Sequence, residues 1–366
     1  MIQLFKSYPL IKEKLHYVSL GNFPTPIEKL GTIGKEIGLS HLYIKRDDLS
    51  GAIYGGNKVR KLEFILGHAI NSKAKEVLTY GYAGSNHALA TAIYAQKLGL
   101  RSISMLMPQP NANYVQRNLL MSYFSNAELH QYPNKLLVAL GSIHQLLRHK
   151  LKYKRFPLLI PPGGSSIFGT VGFVNAAFEL KKQIIDNMIP EPDFIYVALG
   201  TMGTAVGLIL GLKAANIKSK VIPVLVVDKK MANIERMERL FYRTNFYLYS
   251  LDPSFSKFEF PKNEIEINHD FFGEQYALFT SEGVQAVLNM EKNEGIKLEG
   301  TYTGKTFAAL INDAKENDLA DKVILFWNTY NSRDFSNIVA KVNYKNLPRN
   351  FYHYFENEVQ PLDLHP

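Results

Sequence analysis

Apolar and polar positions alternate in two textures along the chain. Short runs that are apolar on both faces, at 42–45, 77–80, 102–107, 158–160, 194–199, 221–227 and 323–327, predict buried β-strands. Between them, apolar residues recur at helical spacing, as in Leu62, Ile65, Leu66 and Ala69, or Leu89, Ile93 and Leu98. Regular alternation of such runs predicts an α/β fold, with open parallel sheets carrying helices on both faces. The stretch 194–212 holds no charged residue, yet Gly200, Thr201, Gly203 and Thr204 interrupt it. A strand, a Gly-rich turn and a buried helix account for it better than a bilayer span.

At 366 residues the chain is long enough for two domains. Pro161-Pro162-Gly163-Gly164 and the glycine-rich stretch 51–56 read as crossings between units. The expectation is a small α/β domain, residues 55–160, inserted into a larger one formed by residues 1–54 and 161–366. The stretch 252–268 lacks a clear period and reads as a surface excursion. The tail after Leu347, with Phe351, Tyr352, Tyr354 and Phe355 among polar residues, is expected to pack on a neighbour or fray.

Composition narrows the chemistry. The absence of cysteine excludes a disulfide framework, thiolate metal sites and a cysteine nucleophile. The net charge of +9 permits binding to nucleic acid or membrane surfaces, but the basic residues are spread out, with no run of five. A basic solvated surface explains the count, and neither nucleic acid nor membrane is expected as a partner. Lys6, Lys12, Glu13 and Lys14 break up the first 21 residues, so no signal-peptide core is read there and a cytoplasmic protein is expected.

Three clusters carry candidate chemistry. In Gly55-Gly56-Asn57-Lys58-Val59-Arg60-Lys61-Leu62, glycines permit a tight turn, Asn57 suits a helix start, and Lys58 falls in the first helical turn. A cation is disfavoured there, so Lys58 suits a Schiff-base amine; a solvated basic helix start is the plain alternative. Tyr80-Gly81-Tyr82-Ala83-Gly84-Ser85-Asn86-His87 places a glycine turn after a strand, where backbone N–H groups with Ser85 and Asn86 would receive a carboxylate. Its alternative is a turn that Ser85 merely caps. Gly200-Thr201-Met202-Gly203-Thr204-Ala205 follows a strand and opens a helix, which suits a phosphate. It is neither a Walker A loop nor a dinucleotide fingerprint. His144 and His149 are five apart and do not share a helical face, which gives metal ligation no support.

Together these clusters resemble the 1-aminocyclopropane-1-carboxylate deaminase / D-cysteine desulfhydrase family of pyridoxal-phosphate enzymes, which have the tryptophan-synthase-β-like fold (fold type II). The resemblance runs from Asn22 to Asn331. It passes through Tyr43-Ile44-Lys45-Arg46-Asp47-Asp48, the 55–63 cluster, Ser85-Asn86-His87, Pro162-Gly163-Gly164-Ser165, Gly200–Thr204 and Tyr302-Thr303-Gly304-Lys305. It implies a pyridoxal 5'-phosphate enzyme whose cofactor sits between domains. Lys58 would hold the cofactor covalently, Asn57 would lie beside its ring oxygen, and Gly200, Thr201, Met202, Gly203 and Thr204 would bind its phosphate. Ser85, Asn86 and His87 would receive the carboxylate of a small amino-acid substrate. Tyr276 and Tyr302 match family tyrosines on the substrate side of the ring, and Thr329 matches the position at the ring nitrogen. Family members are commonly homodimers.

Within the family, deaminases carry a Glu after the tyrosine matched by Tyr302, where this chain has Thr303. A neutral threonine at the ring nitrogen, unlike a carboxylate, does not hold a proton firmly. The resemblance therefore points to elimination from an amino acid such as D-cysteine, with 1-aminocyclopropane-1-carboxylate deamination as the alternative. Departures from the family are Gly84 in place of a Gln, expected to open one pocket wall, Tyr330-Asn331 in place of a glycine pair, and Glu299-Gly300 in place of Asp-Pro. Gly84 and Tyr330 keep open a third reading, a cofactor-binding regulatory protein with impaired catalysis.

Overall fold

The structure, a computed structural model, describes residues 2–363. Its strands, in chain order, are β1 (Ile27–Lys29), β2 (His41–Lys45), β3 (Glu76–Tyr82), β4 (Arg101–Met107), β5 (Glu128–Gln131), β6 (Leu158–Ile160), β7 (Phe194–Leu199), β8 (Lys220–Leu225) and β9 (Val323–Trp327). All seven expected strands form. The two not anticipated, β1 and β5, have one strongly apolar residue each and lie at sheet edges, where one flank needs no burial.

The chain divides into two compact units, Met1–Phe64 with Ser165–Ser332, and Ile65–Gly164 with Arg333–Pro366. The first unit holds a five-stranded sheet in the order β1-β2-β9-β7-β8, parallel except for β1 on β2. Its middle strand, β9, buries Ile324, Leu325, Phe326 and Trp327 completely, as a strand covered on both faces must. The helix Gly203–Ala214 lies close against the helix Ile167–Ile185 because Gly207 and Gly211 have no side chain. A Cβ on Gly207 would lie 2.6 Å from the Thr170 carbonyl oxygen, and one on Gly211 2.7 Å from that of Val174. Gly172 likewise admits the backbone of the helix Asn57–Asn71, since a Cβ there would run into the Arg60 carbonyl.

The second unit is built on an all-parallel sheet in the order β5-β4-β3-β6. The division differs from the expected 55–160 insertion by four residues at its second boundary, which falls after Gly164, and by more at two other places. The first boundary falls inside the helix Asn57–Asn71, and the residues from Arg333 join the smaller unit. The tail corrects the expectation of fraying or a neighbour: Phe351 and Tyr354 are buried, and the Tyr354 hydroxyl accepts from the Gln109 backbone N–H and the Gln131 amide, each at 3.1 Å. Nor is 252–268 a simple surface excursion. Phe255 and Phe260 are buried, and Asn268 bridges to Val224 at the edge of β8.

Candidate active site

β7 and β9 are adjacent and parallel, so Gly200 and Asn328, which follow them, emerge at the same end of the sheet. That end is where open parallel sheets place ligands. The turn after β7 reaches the helix Gly203–Ala214 through Met202, whose φ is +71°, and no side chain caps this helix. The N–H groups of its first turn thus point outward without a side-chain partner from the cap position, at the positive end of the helix dipole. The Ser165 hydroxyl donates to Thr201 Oγ1 at 2.7 Å and accepts from the Gly203 N–H at 3.1 Å. A Cβ on Gly203 would come within 2.8 Å of Ser165 Oγ and 3.1 Å of Lys61 Nζ. Glycine here keeps a hydroxyl, an ammonium group and the turn in mutual reach, a donor set that fits a phosphate.

The helix that carries Lys58 meets this turn directly. Asn57 Nδ2 donates to Thr204 Oγ1 at 3.1 Å, and the Asn57 N–H donates to the Thr329 carbonyl at 3.2 Å. Asn57 opens the helix, and its amide faces Thr204. Lys61, one turn beyond Lys58, is buried beside Gly203. Burial, and secondarily repulsion from Lys58, holds its amine well below the ordinary lysine value. Lys58 itself is lowered to about 8 by burial, against the opposing pull of Glu299. At that value about a tenth of the amine is uncharged at pH 7, against well under a thousandth for an exposed lysine. The cause is desolvation rather than the dipole argument that first singled the residue out.

Glu299 closes the opposite side. Its carboxylate accepts from the backbone N–H groups of Thr301, Tyr302 and Thr303 at 2.6–2.9 Å, and burial raises its own pKa against those bonds. This anchors Tyr302 at the start of the helix Thr303–Glu316, with its ring 3.6 Å from where a Gly200 side chain would begin. The Tyr302 and Tyr276 hydroxyls share a short hydrogen bond. The Thr303 hydroxyl is turned inward and accepts from the Glu299 N–H at 2.9 Å. The Thr329 hydroxyl makes no hydrogen bond among the described residues. Asn331 Oδ1 accepts from the Gly55 N–H at 2.6 Å, so the departure at 331 braces the glycine turn before Lys58.

In the second unit, Ser85, Asn86 and His87 stand at the head of the helix Asn86–Lys97, following β3. Ser85 Oγ accepts from the Ala88 N–H at 3.2 Å, which is the capping role weighed from sequence. Asn118 donates to Asn86 Oδ1 at 2.9 Å, and His87 is buried against Gly164. Gly84 opens no wall on its side-chain face, contrary to expectation. A Cβ there would meet Tyr114 at 2.7 Å and Val115 at 2.8 Å, and Gln109 accepts from the Gly84 N–H.

In the first unit, then, the structure gathers Asn57, Lys58, Gly200–Thr204, Tyr276, Tyr302 and Thr329. Sequence reading missed Lys61, Ser165 and Glu299 as members of this group. Their signal was proximity in space to the 200–204 turn and to Lys58, which no spacing reveals.

Comparison with known proteins supplies the chemistry. Residues 18–329 match the family described as pyridoxal-phosphate dependent enzyme. A Pyrococcus horikoshii protein named after 1-aminocyclopropane-1-carboxylate deaminase is 33% identical over 85% of this chain and 90% of its own. A Yersinia pestis D-cysteine desulfhydrase is 31% identical over 83% of this chain and 90% of its own. The crystal structure of an ACC deaminase homologue superposes with a TM-score of 0.76 at 32% identity, covering 94% of this chain and 98% of that one.

Proposed function

Because the chain belongs to the pyridoxal-phosphate dependent enzyme family, we propose that it eliminates a leaving group from the β-carbon of a small amino acid, D-cysteine first among them, and releases ammonia and a 2-oxo acid. The observation that carries this reading is the meeting of the Lys58 helix with the Gly200–Thr204 turn, through Asn57 and Lys61. When bound, pyridoxal phosphate supplies an electron-withdrawing ring that stabilises charge left on the substrate α-carbon. Gly200–Thr204, Ser165 and Lys61 would hold the phosphate. Asn57 would lie beside the ring, and Lys58 would hold the cofactor and serve as the base for the substrate α-proton. Ser85, Asn86 and His87 receive the substrate carboxylate. The Tyr276–Tyr302 pair holds a proton on the substrate side.

Specificity follows from the partner of the ring nitrogen. Thr303 is occupied with the Glu299 backbone, while Thr329 keeps its hydroxyl available, which supports a neutral partner and a leaving group that departs easily. The names of the Pyrococcus relative and of the solved homologue favour a second reading, opening of a cyclopropane ring. Incubation with D-cysteine, L-cysteine, β-chloro-D-alanine and 1-aminocyclopropane-1-carboxylate separates the two. Sulfide and 2-oxo acid from D-cysteine are expected. 2-Oxobutyrate from the cyclopropane compound alone sinks the threonine argument, and bound cofactor without any product marks an impaired protein.

Glu299 should set the working pH of Lys58. Glu299→Gln keeps one oxygen for the Tyr302 and Thr303 N–H groups, gives up the acceptor for Thr301, and removes the charge that raises the Lys58 amine, so the midpoint for cofactor attachment to cofactor-free protein falls below about 8. An unchanged midpoint, read from the pH dependence of the attachment rate, shows that the carboxylate does not act on the amine.

The assembly we propose is a cytoplasmic homodimer joined at the helix Lys135–Tyr153. There Leu136, Leu140, Ile143, Leu147 and Leu151, spaced by four, three, four and four residues, are each more than half exposed. Among the described residues no helix is long and apolar enough to cross a membrane, so the stripe is not a span. Leu140→Glu with Leu147→Glu is expected to give a monomer in light scattering. A wild-type protein that is monomeric at micromolar concentration disposes of the dimer.

A further inference from the structure

On the first unit, away from the turn at 200–204, lies a cavity of about 380 Å³ lined by residues of the N-terminal segment 2–24 and by Glu63, Asn175 and Glu179. Tyr17, Ser19, Asn22 and Pro24 are exposed at its rim, while Glu63, Asn175 and Glu179 are buried at its base. Glu63 is 3% exposed, and its Oε1 is fixed by the backbone N–H groups of Leu20 and Gly21 at 3.0 and 3.2 Å. Among the described residues its second oxygen takes no hydrogen bond and no ion pair within 4 Å, although the Arg60 guanidinium attracts the carboxylate from farther off. Asn175 gives its carbonyl oxygen to the Leu4 N–H at 3.0 Å, and its amide nitrogen donates to no described group. Glu179, the other carboxylate of the lining, is already saturated by Lys45, Arg60 and Thr25.

Charge balance says what the open groups want. Beneath the cavity Lys45 and Arg60 are matched by Asp47 and Glu179, so an ionised Glu63 adds one uncompensated negative charge. A buried carboxylate in that position either keeps a proton or finds a cation. The lining includes the rings of Tyr17 and Phe23, the latter already carrying the Arg60 guanidinium at 4.3 Å from its ring centroid. Aromatic faces and a carboxylate together favour an organic cation over a bare metal ion.

We propose that this cavity binds a small organic ammonium ion bearing a hydroxyl or carbonyl oxygen, with the ammonium group against Glu63 and the oxygen on the Asn175 amide. The volume suits a ligand of a few carbon atoms, at the lower end of small-molecule sites. Glu63 lies on the same helix as Lys58, so occupancy acts on the element that carries the reactive amine. Without a ligand, burial pushes the Glu63 carboxyl up to about 7. Its folded value exceeds the unfolded one, so this group costs stability as pH rises from about 4.5 through 7, and a bound cation reverses that cost.

The test is calorimetric titration of the holoenzyme with choline, which cannot condense with the cofactor aldehyde, beside its neutral isostere 3,3-dimethylbutanol. Choline is expected to bind about tenfold more tightly at pH 8 than at pH 6, following ionisation of Glu63, and the alcohol to show no such dependence. Glu63→Gln, which can still accept from Leu20 and Gly21, is expected to weaken choline at least tenfold and leave the cofactor absorbance unchanged. Equal binding of the alcohol, choline affinity independent of pH in the wild type, or absence of binding by both overturns the proposal. The wild-type comparison stands even if the variant fails to fold. Because choline binding needs neither turnover nor Lys58, a negative result here leaves the catalytic reading untouched, and the reverse also holds.

Discussion

Lys58→Ala protein is expected to bind pyridoxal phosphate without a covalent link, to emerge colourless from gel filtration, and to lose roughly a thousandfold or more of its activity. The size of the expected loss follows from the two duties proposed for one nitrogen, attachment and proton transfer. Lys58 is suited to both because burial lowers its amine to about 8. Lys61 gives the contrasting result. It lies beside Gly203 and Ser165, so Lys61→Ala should keep the covalent link and weaken retention of the cofactor about 10- to 100-fold, the loss of one charge-assisted contact. Mass spectrometry after borohydride reduction reads the attachment point. A reduced adduct on Lys61 rather than Lys58 would falsify the assignment.

The second large effect lies beneath the site. Arg60 Nε and Nη2 donate to the two oxygens of Asp47 at 2.8 and 2.7 Å, and Nη1 and Nη2 donate to Glu179, each at 2.9 Å. Lys45 completes the group, with bonds to Glu179 at 2.7 Å, Gln183 Oε1 at 2.6 Å and the Thr25 carbonyl at 2.8 Å. Trp327 Nε1 donates to Asp47 Oδ2 at 2.8 Å. These groups are almost wholly buried. Burial pushes the Glu179 carboxyl up, but Arg60 and Lys45 outweigh it and hold the carboxyl well below the usual range. Glu179→Ala leaves two cations facing a single carboxylate, and should cost about 3–5 kcal/mol. The thermal midpoint should fall on the order of 10 °C, and cofactor retention should weaken because Arg60 is two residues from Lys58. Calorimetry with and without cofactor checks both. A fall under 2 °C, as an ordinary surface change gives, means that the group is not the anchor described.

Much of this was legible in the sequence. Strands such as 194–199 and 323–327 announce themselves because burial on both faces makes them continuously apolar, and Gly200–Thr204 because a glycine turn after a strand has few other uses. What escaped has physical reasons. β1 and β5 are edge strands with little to bury. Tyr354 and Phe355 sit in a tail with no period; Tyr354 and Phe351 are buried, and Phe355 is only half-buried. Lys45, Asp47, Arg60 and Glu179 are charged residues that a hydropathy pattern assigns to the surface; they are inside because each neutralises another drawn from a distant segment. Gly84 misled for the opposite reason. A missing side chain reads as empty space until Tyr114 and Val115 are seen to fill it.

The strand order of the first unit also governs when it can assemble. β9 lies between β2 and β7, with Val323 aligned to His41 and Ile324 to Phe194, yet it follows every other strand of that sheet in the chain. While the ribosome is still upstream of residue 323, the pairs β1–β2 and β7–β8 exist only as separate ribbons, each showing an unpaired apolar edge. The nascent polypeptide must shelter those edges until the last strand emerges, and a pause in translation just before it prolongs the interval in which the ribbons can pair with the wrong partner.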